Sequence, residues 1–90
     1  MKRAAVYFSG HVQGIGFRYT CRSIAKGFSV VGYVKNLDDG RVEMKVEGEK
    51  EEIEDFIGDI EKSHLKPFVK QRTIDWSEAI GEWRDFHIEH

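Results

Sequence analysis

The chain has 90 residues, with 14 Lys or Arg against 16 Asp or Glu, so its formal net charge is −2 with neutral histidines. This length predicts one domain over residues 1–90, and the slightly acidic balance disfavours nucleic acid and anionic membrane surfaces as partners. One cysteine, Cys21, rules out an internal disulfide and argues against a thiolate metal cluster. The lack of a long apolar run or leading signal segment predicts no membrane span, a cytoplasmic location and, at this size, a monomer.

The first half of the chain predicts a strand, a helix and a β-hairpin. Residues 4–9, AAVYFS, favour a strand, and a loop with three glycines follows. Apolar residues then recur every three or four positions, which indicates one buried helix face ending near Gly27: Phe17, Cys21, Ile24, Ala25 and Phe28. Strands are predicted at residues 30–34 and 42–46, joined through the tight-turn sequence LDDG.

The second half predicts one more helix and two more strands. An apolar stripe opposite an acidic, solvated face indicates the helix: Ile53, Phe56, Ile57 and Ile60. Residues 68–76 and the segment WRDFHIE, residues 83–89, favour strands. The order β-α-β-β-α-β-β predicts an α+β fold of the ferredoxin-like kind, a mostly antiparallel five-stranded sheet with both helices on one face.

The loop GHVQGIGFR, residues 10–18, has the composition of an anion site. Amides in a glycine-rich turn can converge on an anion, and the start of the following helix adds free N–H groups. Arg18 contributes a planar fork of donors that matches phosphate oxygens in pairs. From the residues alone, a plain strand-to-helix turn beside a surface arginine is supported equally well. Neither the nucleotide P-loop nor the dinucleotide fingerprint fits, because no Lys-Ser/Thr follows and Tyr19 replaces the third glycine.

Two long motifs in this chain resemble the signatures of the acylphosphatase family. The first is GHVQGIGFR, with Ile15 in place of the usual valine, and the second is GYVKNLDDGRVEMKVEG, residues 32–48. A terminal F-x-I pattern is also present, and the likeness covers nearly the whole chain. Two departures are Tyr33, where many relatives carry Trp, and His90, where Tyr is common. We expect neither departure to touch the residues that carry the chemistry.

The resemblance implies hydrolysis of a small-molecule acyl phosphate to a carboxylate and inorganic phosphate. It implies that Arg18 and the loop amides hold the phosphate and that Asn36 orients the attacking water. The loop residues concerned are Val12, Gln13, Gly14, Ile15, Gly16 and Phe17. It implies neither a cofactor nor a metal. No nucleophile is needed, because a carboxylate is a stable leaving group and phosphoryl transfer depends mainly on positioning and charge stabilisation.

Other interpretations remain for several of these residues. Asn36 precedes an Asp-Asp-Gly turn and, without the resemblance, is better explained as a turn cap. We expect Gln13 to fix the loop through its amide rather than to touch substrate, and His11 to face solvent. Cys21 lies on the apolar stripe and is expected in the core. The other histidines, His64, His87 and His90, show no metal-ligand spacing.

Three rival functions are consistent with the fold class. An RNA-binding module would use aromatic residues on exposed strands, for which Tyr7, Phe8, Tyr33 and Trp76 are candidates, but the RNA-binding consensus is absent. A domain that handles carbamoyl phosphate inside a larger assembly is disfavoured because no further domain is present. A protein that keeps the fold but has lost turnover is disfavoured by the presence of both Arg18 and Asn36.

Overall fold

The computed structural model describes residues 1–90, and its elements follow the predicted order. They are β1 (Lys2–Gly10), α1 (Phe17–Ala25), β2 (Val31–Asn36), β3 (Val42–Gly48), α2 (Lys50–Lys62), β4 (Val69–Glu78) and β5 (Phe86–Glu89). A short 3-10 helix, Lys66–Phe68, leads into β4. The fifth strand is shorter than predicted and begins at Phe86. No helix combines the length and apolar character that crossing a bilayer requires.

The five strands form one sheet in the order β4-β1-β3-β2-β5. The β1–β3, β1–β4 and β2–β3 pairs are antiparallel, and β2–β5 is parallel. The prediction of an α+β fold with a mostly antiparallel sheet is therefore confirmed. The single parallel pair is the one between β2 and β5, the outermost strand. That pair requires a crossover, since parallel neighbours cannot be joined by a tight turn, and the chain makes it through β3, α2 and β4.

The pairing brings the carboxyl ends of three strands to one edge of the sheet. Because β1 and β2 both run antiparallel to β3, they run in the same direction, and β5 follows β2. Phe8 of β1 and Asn36 of β2 both lie opposite Val42 of β3. The β1–α1 loop, the β2–β3 turn and the end of β5 therefore meet at this edge.

The core lies between one sheet face and the two helices. Alternate residues of β1 and β3 point into it, as the period of two requires, and each helix adds its predicted apolar stripe. The buried apolar residues are Ala4, Val6, Phe8, Val12, Phe17, Cys21, Ala25, Val30, Val34, Val42, Met44, Val46, Ile53, Phe56, Ile57, Ile60 and Leu65. Cys21 is thus confirmed as a core residue, and burial raises the pKa of its thiol.

A buried carboxylate fastens the segment that leads into β5. Glu47 is 2% exposed and accepts hydrogen bonds from the Ile80 amide at 2.8 Å, the Gly81 amide at 3.0 Å and Arg3 Nε at 2.8 Å. The guanidinium of Arg3 lies over the ring of Trp83. These contacts hold residues 79–85 as an ordered connection, which is why the predicted strand does not begin at Trp83.

The environment of Glu47 favours its charged form. Burial by itself would raise the pKa of Glu47, but the amides of Ile80 and Gly81 and the cation of Arg3 outweigh it. The net pKa lies below the ordinary value of 4.5. A depressed folded-state pKa stabilises the fold above the ordinary value, and this contribution is lost as the pH falls through the folded-state value.

We expect Glu47→Gln to lower the free energy of unfolding by about 3 kcal/mol at neutral pH, because Arg3 loses its buried counter-charge. Urea denaturation measures the change. Glu82→Gln is the matched control, since Glu82 also contacts Arg3 but is half exposed and should cost about 0.5 kcal/mol. The difference between wild type and Glu47→Gln should shrink as the pH falls below 4.5. A difference that is constant with pH would contradict this account.

Candidate active site

The loop between β1 and α1 depends on glycine at two positions. Gly14 and Gly16 have φ values of 78° and 77°, in the left-handed region that glycine tolerates best. A Cβ atom at either residue would meet nothing within 4 Å. The backbone conformation, rather than a lack of space, is therefore the reason for glycine, and the loop can turn sharply into α1.

The backbone amides of this loop lack acceptors within the protein. His11 donates its amide to the Phe68 carbonyl, and the next amide that donates to a backbone carbonyl is that of Thr20, bonded to Gly16. The amides of residues 12–16 donate to no protein acceptor, and those of Phe17, Arg18 and Tyr19 belong to the free first turn of α1. A row of unpaired amides at a helix start is a site for an anion.

Three side chains of the loop anchor it to the core. Val12 and Phe17 are buried, and Ile15 packs against the same cluster. The Phe17 ring contacts that of Phe8 with centroids 5.0 Å apart. Because these side chains pack into the core, they fix the position of the loop while most of its backbone stays at the surface.

Gln13 ties the loop to the β2–β3 turn. Its side-chain Nε2 donates to the carbonyl oxygens of Leu37 at 2.8 Å and Arg41 at 2.9 Å. This confirms the expectation that Gln13 fixes the loop through its amide. The same bonds bring the loop next to Asn36, which directly precedes Leu37.

Asn36 holds a polar oxygen without a structural partner. The residue ends β2 on the same sheet face as Val34, toward the helices, and its Oδ1 is buried and accepts no hydrogen bond. The turn is capped by Asp39, whose Oδ1 accepts from the Arg41 amide at 3.1 Å. The turn-cap interpretation of Asn36 is therefore wrong. An unsatisfied buried acceptor is costly and calls for an explanation.

Arg18 stands at the first turn of α1 and contacts the end of β5. Its Nη1 donates to the Glu89 carbonyl at 3.2 Å and lies 3.3 Å from Nδ1 of His90. The Arg18 side chain is half-buried and is oriented by these contacts, which the interpretation as an ordinary surface residue does not require. His90 contacts Arg18, contrary to the expectation that this departure from the family pattern touches none of the residues to which the resemblance gives a role.

The strand register brings Arg18 close to Asn36. Glu89, whose carbonyl accepts from Arg18, lies opposite Lys35 in the parallel β2–β5 pair, one position before Asn36. The loop amides, Arg18 and Asn36 thus gather at one edge of the sheet. The depressions of the surface lie elsewhere, against β4 and at the start of β5. The loop amides, Arg18 and Asn36 therefore form an open surface rather than an enclosed pocket, and we call this surface the rim.

The remaining candidate residues lie apart from this rim. His11 is exposed as expected, and His87 lies between Asp85 and Glu89 on the opposite sheet face. No three His, Cys, Asp or Glu side chains converge as metal ligands would. The aromatic residues of the RNA-binding interpretation are divided between the two sheet faces. Phe8 is buried and Trp76 packs against the core, whereas the Tyr7 and Tyr33 hydroxyls both donate to Glu43 on the outer face.

Comparison with known proteins gives a consistent result. A family model described as Acylphosphatase matches residues 4–88. A curated acylphosphatase of Roseiflexus sp. is 38% identical over 88 residues, which cover 98% of this chain and 95% of that protein. The crystal structure of acylphosphatase from Bacillus subtilis superposes with a TM-score of 0.91 at 30% identity, covering both chains fully. Full-length HypF, crystallised in a phosphate- and nucleotide-bound form, matches at a TM-score of 0.83 and 30% identity over 12% of its length.

We expect Gln13→Ala to raise the dissociation constant for inorganic phosphate roughly fivefold, because the loop loses the bonds that hold it against the β2–β3 turn. NMR titration of the folded variant with phosphate measures this. Gln71→Ala, at an exposed position on β4, is the control and should bind phosphate like the wild type. Equal affinities for Gln13→Ala and wild type would show that the loop does not need this tie.

Proposed function

This chain belongs to the acylphosphatase family, and we propose that residues 12–18 hold the phosphoryl group of its substrate while Asn36 orients the attacking water. The reaction is hydrolysis of the carboxyl–phosphate bond of an acyl phosphate, which releases a carboxylate and inorganic phosphate. The observation that carries the assignment of residues is the row of unpaired amides beside Arg18.

The loop amides are proposed to bind the phosphoryl oxygens. Amide dipoles that already point toward an anion need no reorganisation when negative charge shifts during the reaction. The left-handed turns at Gly14 and Gly16 give this arrangement its shape. The N-terminus of α1 adds the positive end of the helix dipole. The backbone of Val12, Gln13, Gly14, Ile15, Gly16 and Phe17 therefore supplies neutral donors, and Arg18 supplies the full positive charge.

Arg18 retains one edge of its guanidinium for the phosphoryl group. Its Nη1 faces the Glu89 carbonyl and His90, which leaves the Nε and Nη2 donors without a protein acceptor. These two donors form a parallel pair that can make a bidentate hydrogen bond to two oxygens of one phosphoryl group. A lysine has a single ammonium point charge and cannot make that bidentate contact.

Asn36 is proposed to aim the water at phosphorus. Its Oδ1 has no protein donor, and a half-turn of the amide exchanges Oδ1 with Nδ2 without moving the backbone. Turned toward the rim, the oxygen accepts a hydrogen bond from water and directs the water lone pair to phosphorus. The new P–O bond forms as the bond to the acyl oxygen breaks, and the carboxylate leaves with the bonding electrons. We propose that a phosphoryl oxygen takes the water proton.

The setting of this reaction is also part of the proposal. We propose that residues 1–90 act as one domain, as a monomer in the cytoplasm. Burial of Cys21 in the core argues against a dimer bridged through this thiol, and a free thiol suits a reducing compartment. Analytical ultracentrifugation tests the monomeric state directly.

We expect Arg18→Ala to abolish phosphate binding and to lower kcat/KM by at least about a hundredfold, because the charged donor is lost. Arg18→Lys should recover only part of the activity. Arg22→Ala, one turn further along α1, is the matched control and should retain it. Phosphate affinity unchanged in Arg18→Ala would overturn the assigned role.

We expect Asn36→Ala to lower kcat on the order of a hundredfold while phosphate affinity stays within about twofold, since the residue acts on water rather than on the phosphoryl group. Hydrolysis of benzoyl phosphate in EDTA, followed for wild type and both variants, measures this. Turnover in EDTA would also support the expectation that no metal takes part. Equal losses of phosphate affinity in Arg18→Ala and Asn36→Ala would contradict the division of roles.

A further inference from the structure

We propose that His90 is a positioning residue that holds Arg18 in its working orientation only while its imidazole is neutral, so that protonation of His90 loosens the hold on Arg18. The proposal rests on the function proposed above for Arg18. It follows from the contact between His90 Nδ1 and Arg18 Nη1 at 3.3 Å.

The contact defines the protonation state that supports it. A guanidinium carries only donors and stays charged throughout the working pH range. His90 Nδ1 must therefore accept the bond, which requires the neutral imidazole with its proton on Nε2. In the imidazolium both nitrogens carry protons, so the acceptor is lost and a positive charge is placed beside Arg18.

The other charged groups around His90 do not replace this contact. On α1, Arg22 lies one turn beyond Arg18 and lines the depression at the start of β5 with Asp85 and Phe86. On β2, Lys35 lies opposite Glu89, on the sheet face turned away from the helices. On β5, the Glu89 carboxylate lies near His87 on that same outer face. Arg18 is thus the charged partner that contacts the His90 ring.

The carbonyl of Glu89 limits the size of the effect. Arg18 Nη1 also donates to this oxygen at 3.2 Å, and this bond does not titrate. Loss of the His90 bond therefore loosens one side of the guanidinium rather than freeing it completely. The Nε–Nη2 edge then samples orientations that do not match the phosphoryl oxygens. We expect a change of roughly fivefold, the size that loss of one hydrogen bond produces.

The test compares the pH dependence of kcat/KM for benzoyl phosphate between pH 5 and 8.5, a range that spans the usual titration of histidine. His90→Asn offers a carboxamide oxygen as an acceptor that does not titrate, and His90→Leu offers none. His64→Asn, at an exposed histidine after α2, is the matched control. The substrate phosphate titrates identically in every reaction, so ratios between variants remove its contribution.

We expect wild type and His90→Asn to be equal above pH 8 and wild type to fall to roughly one-fifth of His90→Asn near pH 5. His90→Leu should be roughly fivefold lower than wild type above pH 8, and His64→Asn should follow wild type throughout. A constant ratio of wild type to His90→Asn, or full activity of His90→Leu, would overturn the proposal.

A second readout does not depend on turnover. Nitrogen-15 NMR of the Arg18 side chain reports rotation about its Nε–Cζ bond. We expect restricted rotation at pH 8 and faster rotation at pH 5 in wild type, and restricted rotation at both values in His90→Asn. If no variant hydrolyses substrate but the spectra follow this pattern, the contact stands and the proposed function fails. Spectra that do not change with pH in wild type would refute the role of His90.

Discussion

The placement of β3 between β1 and β2 is the constraint on which the site depends. Because β1 and β2 are both antiparallel to β3, their carboxyl ends must emerge on one edge, with Phe8 and Asn36 opposite the same residue, Val42. Strands are spaced about 4.8 Å apart, so the β1–α1 loop and the end of β2 are separated by only about two strand widths. Gln13 spans this gap with two hydrogen bonds and joins the glycine-rich β1–α1 loop to the turn that follows Asn36.

Arg3 and Arg18 are both oriented by the fold, but they serve opposite purposes. Arg3 meets Glu47, Glu82 and the Trp83 ring, so its charge is neutralised and its side chain is held in place. Arg18 meets only a carbonyl oxygen and an imidazole nitrogen, neither of which carries a compensating charge. Arg18 is therefore oriented by the fold without being neutralised, which leaves its positive charge for an anion.

The second motif combines structural and chemical residues. A Cβ atom at Gly32 would lie 1.9 Å from the Lys45 carbonyl oxygen, so glycine is needed there for the β2–β3 pair to form. Glu47 fastens the connection into β5, and β5 supplies the contacts that orient Arg18. Asn36 stands out because its oxygen has no structural bond at all. Most of this motif therefore builds the sheet around a single residue proposed to act on the substrate.

The sequence by itself determined the element order, the sheet class and the loop that presents unpaired amides. Those features are local: the apolar periods of two and three to four define strands and helices, and the glycine spacing in GHVQGIGFR defines the left-handed turns. The roles proposed for Arg18 and Asn36 came from the resemblance to a family, because an asparagine before an Asp-Asp-Gly turn has an equally local explanation as a cap. Only the tertiary structure showed that Asp39 closes that turn instead.

The tertiary structure alone decided what Arg18 and Gln13 contact and where β5 lies. The parallel pairing of β5 with β2 joins residues more than fifty positions apart, and a sequence period carries no information about which strand becomes the neighbour. The same holds for the bonds of Glu47 to the amides of Ile80 and Gly81. His90 differs from the tyrosine common at this position, but its contact with Arg18 exists only because the packed sheet brings the end of β5 to the first turn of α1.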